Sequence, residues 1–255
     1  MRRGTSRIGH LHQSGSYKLL FPRGFSNGPD QALQVVSLNT AGGVTGGDRF
    51  HLAVRAEAGS RMVMTTQAAE RVYRAQPGEI GQVRTVINVE TGAALDWLPQ
   101  ETIQFNFAAL DRRLEAHVTP DGRLLAVEPI IFGRKAMGEV VAQGFLIDRW
   151  RVTRGDELVF ADNLCLDGPV HDLLQRPGVA NGEGAMASLL LVAGDADLYL
   201  DRVRQVLGPD GGASLIRPGV LFARVFGADG FDLRRGLIPA IKALSGAEIP
   251  KTWML

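Results

Sequence analysis

Cysteine is almost missing from this chain: Cys165 is its only one in 255 residues. A lone thiol excludes an internal disulfide and any zinc site built from several thiolates, and it fits a reducing cytosol. Long apolar runs are missing too. The nearest candidate, Met186–Ala193, is strand-sized, well short of the ~20 residues that cross a bilayer as a helix. Neither sign of charge is in excess, with 28 Lys and Arg against 27 Asp and Glu. The balance therefore gives no indication of a nucleic-acid groove or an anionic membrane surface as the main partner. The first 29 residues hold no acid. Even so, no apolar core precedes a cleavage-like site, so the start reads as part of the domain, with residues 1–14 loosely ordered.

Catalytic signatures are also scarce. There is no Gly-x-Ser-x-Gly elbow, and Cys165 has no histidine in a protease-like context. The five histidines are scattered, and only His10 and His12 share a strand-like spacing, which makes them weak candidates for transient metal contact. Residues 38–50, LNTAGGVTGGDRF, come close to a phosphate-binding loop. Four residues separate Gly42 from Gly47 as in G-x-x-x-x-G-K-[ST], but Asp48 and Arg49 stand where Lys and Ser/Thr are needed. A carboxylate at the lysine position repels a triphosphate. The glycines are then explained by a tight turn with positive φ or by close approach of another group to the backbone.

What is present is period-2 alternation. Phe50, Leu52, Val54 and Ala56 point one way, and similar alternation recurs over 83–89, 103–107 and 114–118. Turn signals separate these runs at Ala58-Gly59-Ser60, Pro77-Gly78, Thr91-Gly92, Pro120-Asp121-Gly122 and Arg154-Gly155-Asp156. The expectation is a mostly β, stacked-strand, β-helix-like body in a single domain over 1–255. Two helical stripes break the rhythm in the C-terminal third. One is Asp195–Leu207. The other is Asp232–Leu244, where Pro239 implies a kink or a restart.

Three polar clusters are candidate sites. Thr65–Arg74 brings Glu70, Tyr73 and Arg74 together. Glu101 follows Pro99 at a strand start or edge. Arg134 and Glu139 share a Gly-bounded turn. Each has a plain structural reading as a solvated ion pair or turn brace. Glu101 with Glu139 as an acid–base pair would make a β-rich hydrolase. A passive β-solenoid binding module is the other alternative.

Taken in order, Leu38–Arg49 (LNTAGGVTGGDR), Thr65–Arg74 (TTQAAERVYR), Asp96–Phe105 (DWLPQETIQF), Leu124–Glu139 (LLAVEPIIFGRKAMGE) and Ile249–Leu255 (IPKTWML) resemble the UreD (UreH) family of urease accessory proteins. The resemblance runs from about Gly15 to the C-terminus. It implies a β-helix-like fold with two helices and a cytoplasmic maturation factor rather than an enzyme. It further implies a scaffold that joins UreF and the GTP-hydrolysing UreG, alone or as a homodimer, and docks on the urease structural subunits. Nickel would then be inserted with no cofactor tightly bound to this chain, Ni²⁺ only in transit and GTP held by UreG. On that reading Asp48, Glu101, Glu139 and Glu70 are candidates to line or gate a polar nickel passage. Tyr73, Arg74 and Arg134 would orient those acids, and Trp253 is a candidate partner contact, with clamping of the tail as its plainer role.

Overall fold

The computed structural model describes residues 5–22, 32–245 and 249–254. Alternation in the sequence becomes a coil in space, because the chain passes back and forth between two facing sheets. In chain order the strands are β1 (Tyr17–Leu20), β2 (Leu33–Asn39), β3 (Arg49–Ala56), β4 (Arg61–Thr66), β5 (Glu70–Val72), β6 (Gly81–Val89), β7 (Ala94–Leu98), β8 (Thr102–Gln104), β9 (Ala109–Val118) and β10 (Arg123–Phe132). Then follow β11 (Gly144–Arg154), β12 (Glu157–Gly168), helix α1 (Val170–Leu174), β13 (Ala185–Val192), helix α2 (Leu200–Leu207), β14 (Gly211–Arg217), β15 (Val220–Gly227) and helix α3 (Gly230–Ser245).

One sheet has the order β1-β2-β4-β7-β10-β13-β15-β14, with β8 also beside β10 and β5 beside β8; the other runs β12-β11-β9-β6-β3. Neighbours β2, β4, β7 and β10 are parallel, as are β3, β6, β9 and β11. Each turn of chain thus adds one strand to each sheet, the solenoid logic expected from the turn spacing. The later strands β12, β13, β14 and β15 pair antiparallel and close the stack.

The mostly β, β-helix-like body with two longer helices in the C-terminal part is as the sequence pattern indicates. Four details differ. Helix α3 runs from Gly230 to Ser245 through Pro239, so the proline does not restart it. The run expected over 103–107 stops at Gln104, and Phe107 turns with φ of 63° to feed β9. The short helix α1 carries no clear periodicity in five residues. At the start of the chain, Ser6 is buried and accepts the Arg61 N–H at 2.7 Å, although the sequence reads as loose there.

Side-chain alternation sorts β10 and β13 into two cores. Leu125, Val127, Leu189 and Leu191 pack against α2 and α3, whereas Leu124, Ala126, Leu190 and Val192 face the second sheet. Both strands are covered on both faces, which is why β13 reads as an unbroken apolar run. Between the sheets the apolar packing falls into two clusters. One is built around Leu95, Trp97, Leu114 and Trp150, the other around Leu110, Ile130, Leu146 and Leu166.

The helical layer is pinned by a polar latch. Arg123 donates to Asp96 Oδ1 at 3.3 Å and also to the Leu244 carbonyl at the end of α3. Burial, only partly offset by Arg123, pushes the Asp96 carboxyl up to about 6 from 3.8. Between those values Asp96 holds a proton in the folded chain that it has lost in the unfolded chain, so its contribution to stability falls as pH rises from about 4 to 6 and is level above. Asp96→Asn should remove that slope and raise neutral-pH stability by on the order of 2–3 kcal/mol, because each tenfold rise in proton affinity corresponds to about 1.4 kcal/mol. Urea unfolding of both proteins at pH 4, 5, 6 and 7 checks this; parallel curves for the two would contradict it.

Candidate functional site

Where the two inter-sheet cores meet, the alternation places charged residues inside. The inward positions of β9 are Leu110, Arg112, Leu114, Ala116 and Val118; those of β10 are Leu124, Ala126, Glu128, Ile130 and Phe132. Arg112 pairs in register with Asp148 of β11, and Glu128 with Ser188 of β13, which in turn pairs with Arg224 of β15. The result is one polar layer between two apolar clusters.

At its centre, Arg112 is held by its neighbours on three sides. Its Nε and Nη2 donate to Asp148 Oδ1 and Oδ2 at 3.1 and 2.7 Å, and Nη1 donates to Thr102 Oγ1 at 3.0 Å. Glu128 Oε1 accepts the Trp97 indole N–H at 3.0 Å. Glu128 Oε2 lies 3.1 Å from Arg112 Nε, but that N–H is already spent on Asp148. Oε2 therefore accepts no hydrogen bond, and the Trp150 indole N–H is likewise buried without a partner. Arg112, Glu128 and Asp148 are 6%, 3% and 6% exposed, so water does not screen them.

Burial works against the Arg112 charge, yet Asp148 and Glu128 outweigh it and hold the guanidinium firmly protonated. Burial pushes Glu128 upward, with Asp148 adding to the effect and Arg112 opposing it. Toward β1 the layer opens into a cavity of 60 Å³ lined by Tyr17, Ser37, Thr66, Glu70, Gln100, Thr102, Arg112 and Glu128, among others. Glu70 is also raised by burial, which outweighs its contacts with Asn39 and Arg71. Tyr17 stacks on Phe50 at 4.6 Å, and burial, followed by the charges of Glu70 and Glu128, keeps its phenol protonated. Toward β12 the layer continues through Ser188 to Arg224, which pairs with half-buried Asp162 at 2.5 Å. Polar groups thus cross the sandwich from one flank to the other.

Among the residues singled out from sequence, Glu70 alone lines this cavity. Asp48 Oδ2 caps the Thr45 N–H at 2.9 Å in the glycine turn. That turn accounts for its glycines without a ligand. Gly42 and Gly47 have φ of 82° and 83°, while a Cβ on Gly43 would sit 2.3 Å from the Tyr73 ring and one on Gly46 would sit 2.6 Å from Glu79 Cβ. Tyr73 donates to the Gly42 carbonyl at 3.2 Å, and Arg74 stacks on Phe107 at 4.8 Å, so neither orients an acid of the cavity. Glu101 lies on the helical side, bound twice by Arg234 of α3 at 2.6 and 2.9 Å. Glu139 takes Arg134 at 2.8 Å and the Asn106 N–H at 3.3 Å. Each of these two carboxylates is thus tied to its own arginine rather than to the other.

Trp253 is 2% exposed and donates to the Leu98 carbonyl at 3.1 Å, so its indole seats the tail on the end of β7. His10 and His12 are exposed, and among the described residues no group of three or more His, Cys, Asp or Glu is placed to hold a metal. A larger groove of 680 Å³, lined by Ile131, Phe132, Leu174 and Phe231, opens on the surface. Two of its charged pairs, Arg134–Glu139 and Lys135–Asp229, are salt-bridged, and it opens to solvent rather than into the buried layer. Arg112 and Asp148 lie outside the stretches singled out in the sequence, and Glu128, though inside Leu124–Glu139, is not among the residues singled out there. Their signal is a charge at an inward position of an otherwise apolar, alternating strand.

These features define a β-solenoid-like protein with a charged seam through its interior. The chain belongs to the UreD urease accessory protein family: the family model for the UreD urease accessory protein matches residues 1–254. It is 48% identical over 250 residues to the urease accessory protein UreD of Ruegeria pomeroyi, covering 98% of this chain and 96% of that one. To the urease accessory proteins UreD of Roseobacter denitrificans and Rhizobium leguminosarum bv. viciae it is 44% and 46% identical, over 99% of this chain and 90% and 91% of theirs. Membership of that family supports a role in urease maturation. Among the described residues no helix is long and apolar enough to cross a membrane.

Proposed function

We propose that this chain is a cytoplasmic, non-catalytic scaffold that joins UreF and UreG on apo-urease and offers Ni²⁺ a path through its interior. The observation that carries the passage is the buried polar layer. It crosses the sandwich, carries more carboxylates than cations in its cavity half, and leaves Glu128 Oε2 without a donor. Oxygen donors suit a metal in transit. Nickel prefers nitrogen and sulfur ligands when it is held tightly, and the seam brings together no imidazole and no thiolate. The path is drawn through Glu70 and Glu128, with Asp162 at the far flank; Asp48, Glu101 and Glu139 brace turns and helices outside it. No cofactor is retained by the chain itself. The GTP chemistry belongs to UreG, since the glycine turn carries Asp48 where a phosphate-binding lysine would stand.

Expression of urease genes with and without this chain tests the role. Active urease is expected only when the chain is present, and its subunits together with UreF and UreG should be recovered in pull-down of the tagged chain. Equal urease activity in its absence would overturn the proposal.

A further inference from the structure

We propose that the outward face of the second sheet is a docking surface for an acidic segment of a partner protein, read by a row of arginines that parallel pairing sets side by side. Helices α2 and α3 pack on the first sheet, whereas the outward positions of β3, β6, β9, β11 and β12 are exposed or half-buried. Those positions carry Arg49, Arg55, Arg84, Arg113, Arg149 and Arg151 against Asp111, Glu115 and Asp167. Six arginines against three acids leave this one face more positive than the whole chain, whose net charge is +1.

The register concentrates that charge. His51 of β3, Arg84 of β6, Arg113 of β9 and Arg149 of β11 pair in one line across the sheet. Neighbouring strands lie about 4.8 Å apart, so three guanidinium-bearing positions fall within about 10 Å. One acid relieves part of the repulsion. Arg113 donates to both oxygens of Asp111, at 3.1 and 2.8 Å. It holds the Asp111 carboxyl below the usual carboxylate range, and Arg149 and Arg84 add to that. Arg84, which is exposed, and Arg149, which is half-buried, form no ion pair with any described residue. They stand two strand spacings apart, so an acidic segment with carboxylates about 10 Å apart, the span of two helical turns, meets both. Arginine suits this task because its planar fork grips a carboxylate through two hydrogen bonds.

The face favours protein over nucleic acid or membrane. Asp111 and Glu115, interleaved with the arginines, repel a continuous phosphate backbone. The exposed aromatics Tyr73, Phe107 and Phe231 lie outside these five strands, so the face has none to stack a base or anchor in a headgroup layer.

Fluorescence anisotropy of labelled octaglutamate with the purified full-length chain tests the face. Co-expression with the urease subunits, UreF and UreG tests its use, and that choice of proteins rests on the scaffold reading above. Wild type should bind octaglutamate, and binding should fade as ionic strength passes about 0.15 M, where the screening length is near 8 Å. Arg84→Gln with Arg149→Gln should bind it at least tenfold more weakly at an unchanged thermal midpoint. Arg202→Gln, which neutralises an exposed arginine of α2, should bind as wild type does. From the co-expressed proteins the tagged double variant should lose at least one that wild type recovers. Equal octaglutamate binding by the double variant and Arg202→Gln would overturn the inference. So would oligo(U) or phosphatidylserine vesicles held more tightly than octaglutamate through the same two arginines. Recovery of every partner by a double variant that no longer binds octaglutamate would overturn the docking role. A wild-type chain that recovers none of these proteins would instead overturn the scaffold reading, with the octaglutamate result still deciding the face.

Discussion

Replacing Trp253 by alanine should lower the thermal midpoint by about 10 °C. The indole is 2% exposed, donates to the Leu98 carbonyl at 3.1 Å, and lies under the Arg234 guanidinium at 5.5 Å. Truncating a buried Trp to alanine removes roughly 3–5 kcal/mol, and a chain of this size loses about 2–4 °C per kcal/mol. The loss is not confined to the tail. Arg234 donates to the Trp253 carbonyl at 3.2 Å and also binds Glu101 and Gln100, so one guanidinium joins α3, the start of β8 and the C-terminal segment. Unseating Trp253 opens this pair to water and leaves the Leu98 carbonyl without its donor. Trp253→Phe keeps most of the volume and loses only the N–H, so a smaller fall is expected, roughly 1–2 kcal/mol. Scanning calorimetry separates the two. An unchanged midpoint with lost recovery of partner proteins would instead assign Trp253 to a docking surface.

The fold is legible in the sequence because its main signal is local. Strands covered on one face alternate, turns fall where Gly and Pro stand, and the two helical stripes keep their 3.6-residue period. The solenoid pairing follows from parallel registers that the pattern permits but does not specify. The site is only partly legible. Glu70 is reachable because it sits in a polar cluster. Arg112, Glu128 and Asp148 are far apart in the chain and meet only when β9, β10 and β11 come into register. Conversely, Asp48, Glu101 and Glu139 stand out in sequence for the reason that keeps them from the cavity: each lies beside a turn, where a carboxylate finds a backbone N–H or an arginine. A charge in a turn is cheap to place. A charge at an inward strand position is not, and that expense makes Glu128 the more informative residue.

Glu128→Gln should reduce urease activation at limiting nickel by tenfold or more while leaving the fold and partner recovery intact. The amide keeps the carboxylate's shape, and its oxygen still accepts the Trp97 N–H. Burial already pushes the Glu128 carboxyl upward, so a neutral isostere removes a desolvated charge; the amide N–H₂ that then faces Arg112 offsets this gain, and stability at neutral pH should hold. What changes is the field in the cavity. Arg112 and Asp148 nearly cancel each other, so Glu128 and Glu70 supply the remaining attraction for a cation. Removing one unit charge about 4 Å from a passing ion, at an effective dielectric near 20, forfeits about 4 kcal/mol per unit of ionic charge. Even a third of that is close to the roughly 1.4 kcal/mol that corresponds to tenfold, and a divalent ion doubles it. The deficit should shrink as nickel in the medium is raised, because mass action offsets weaker binding along the path. Glu101→Gln gives the contrast: it breaks a buried pair with Arg234 outside the cavity, so it should lower stability without making activation nickel-sensitive. Full activation by soluble Glu128→Gln at limiting nickel would mean that the metal does not travel through this seam.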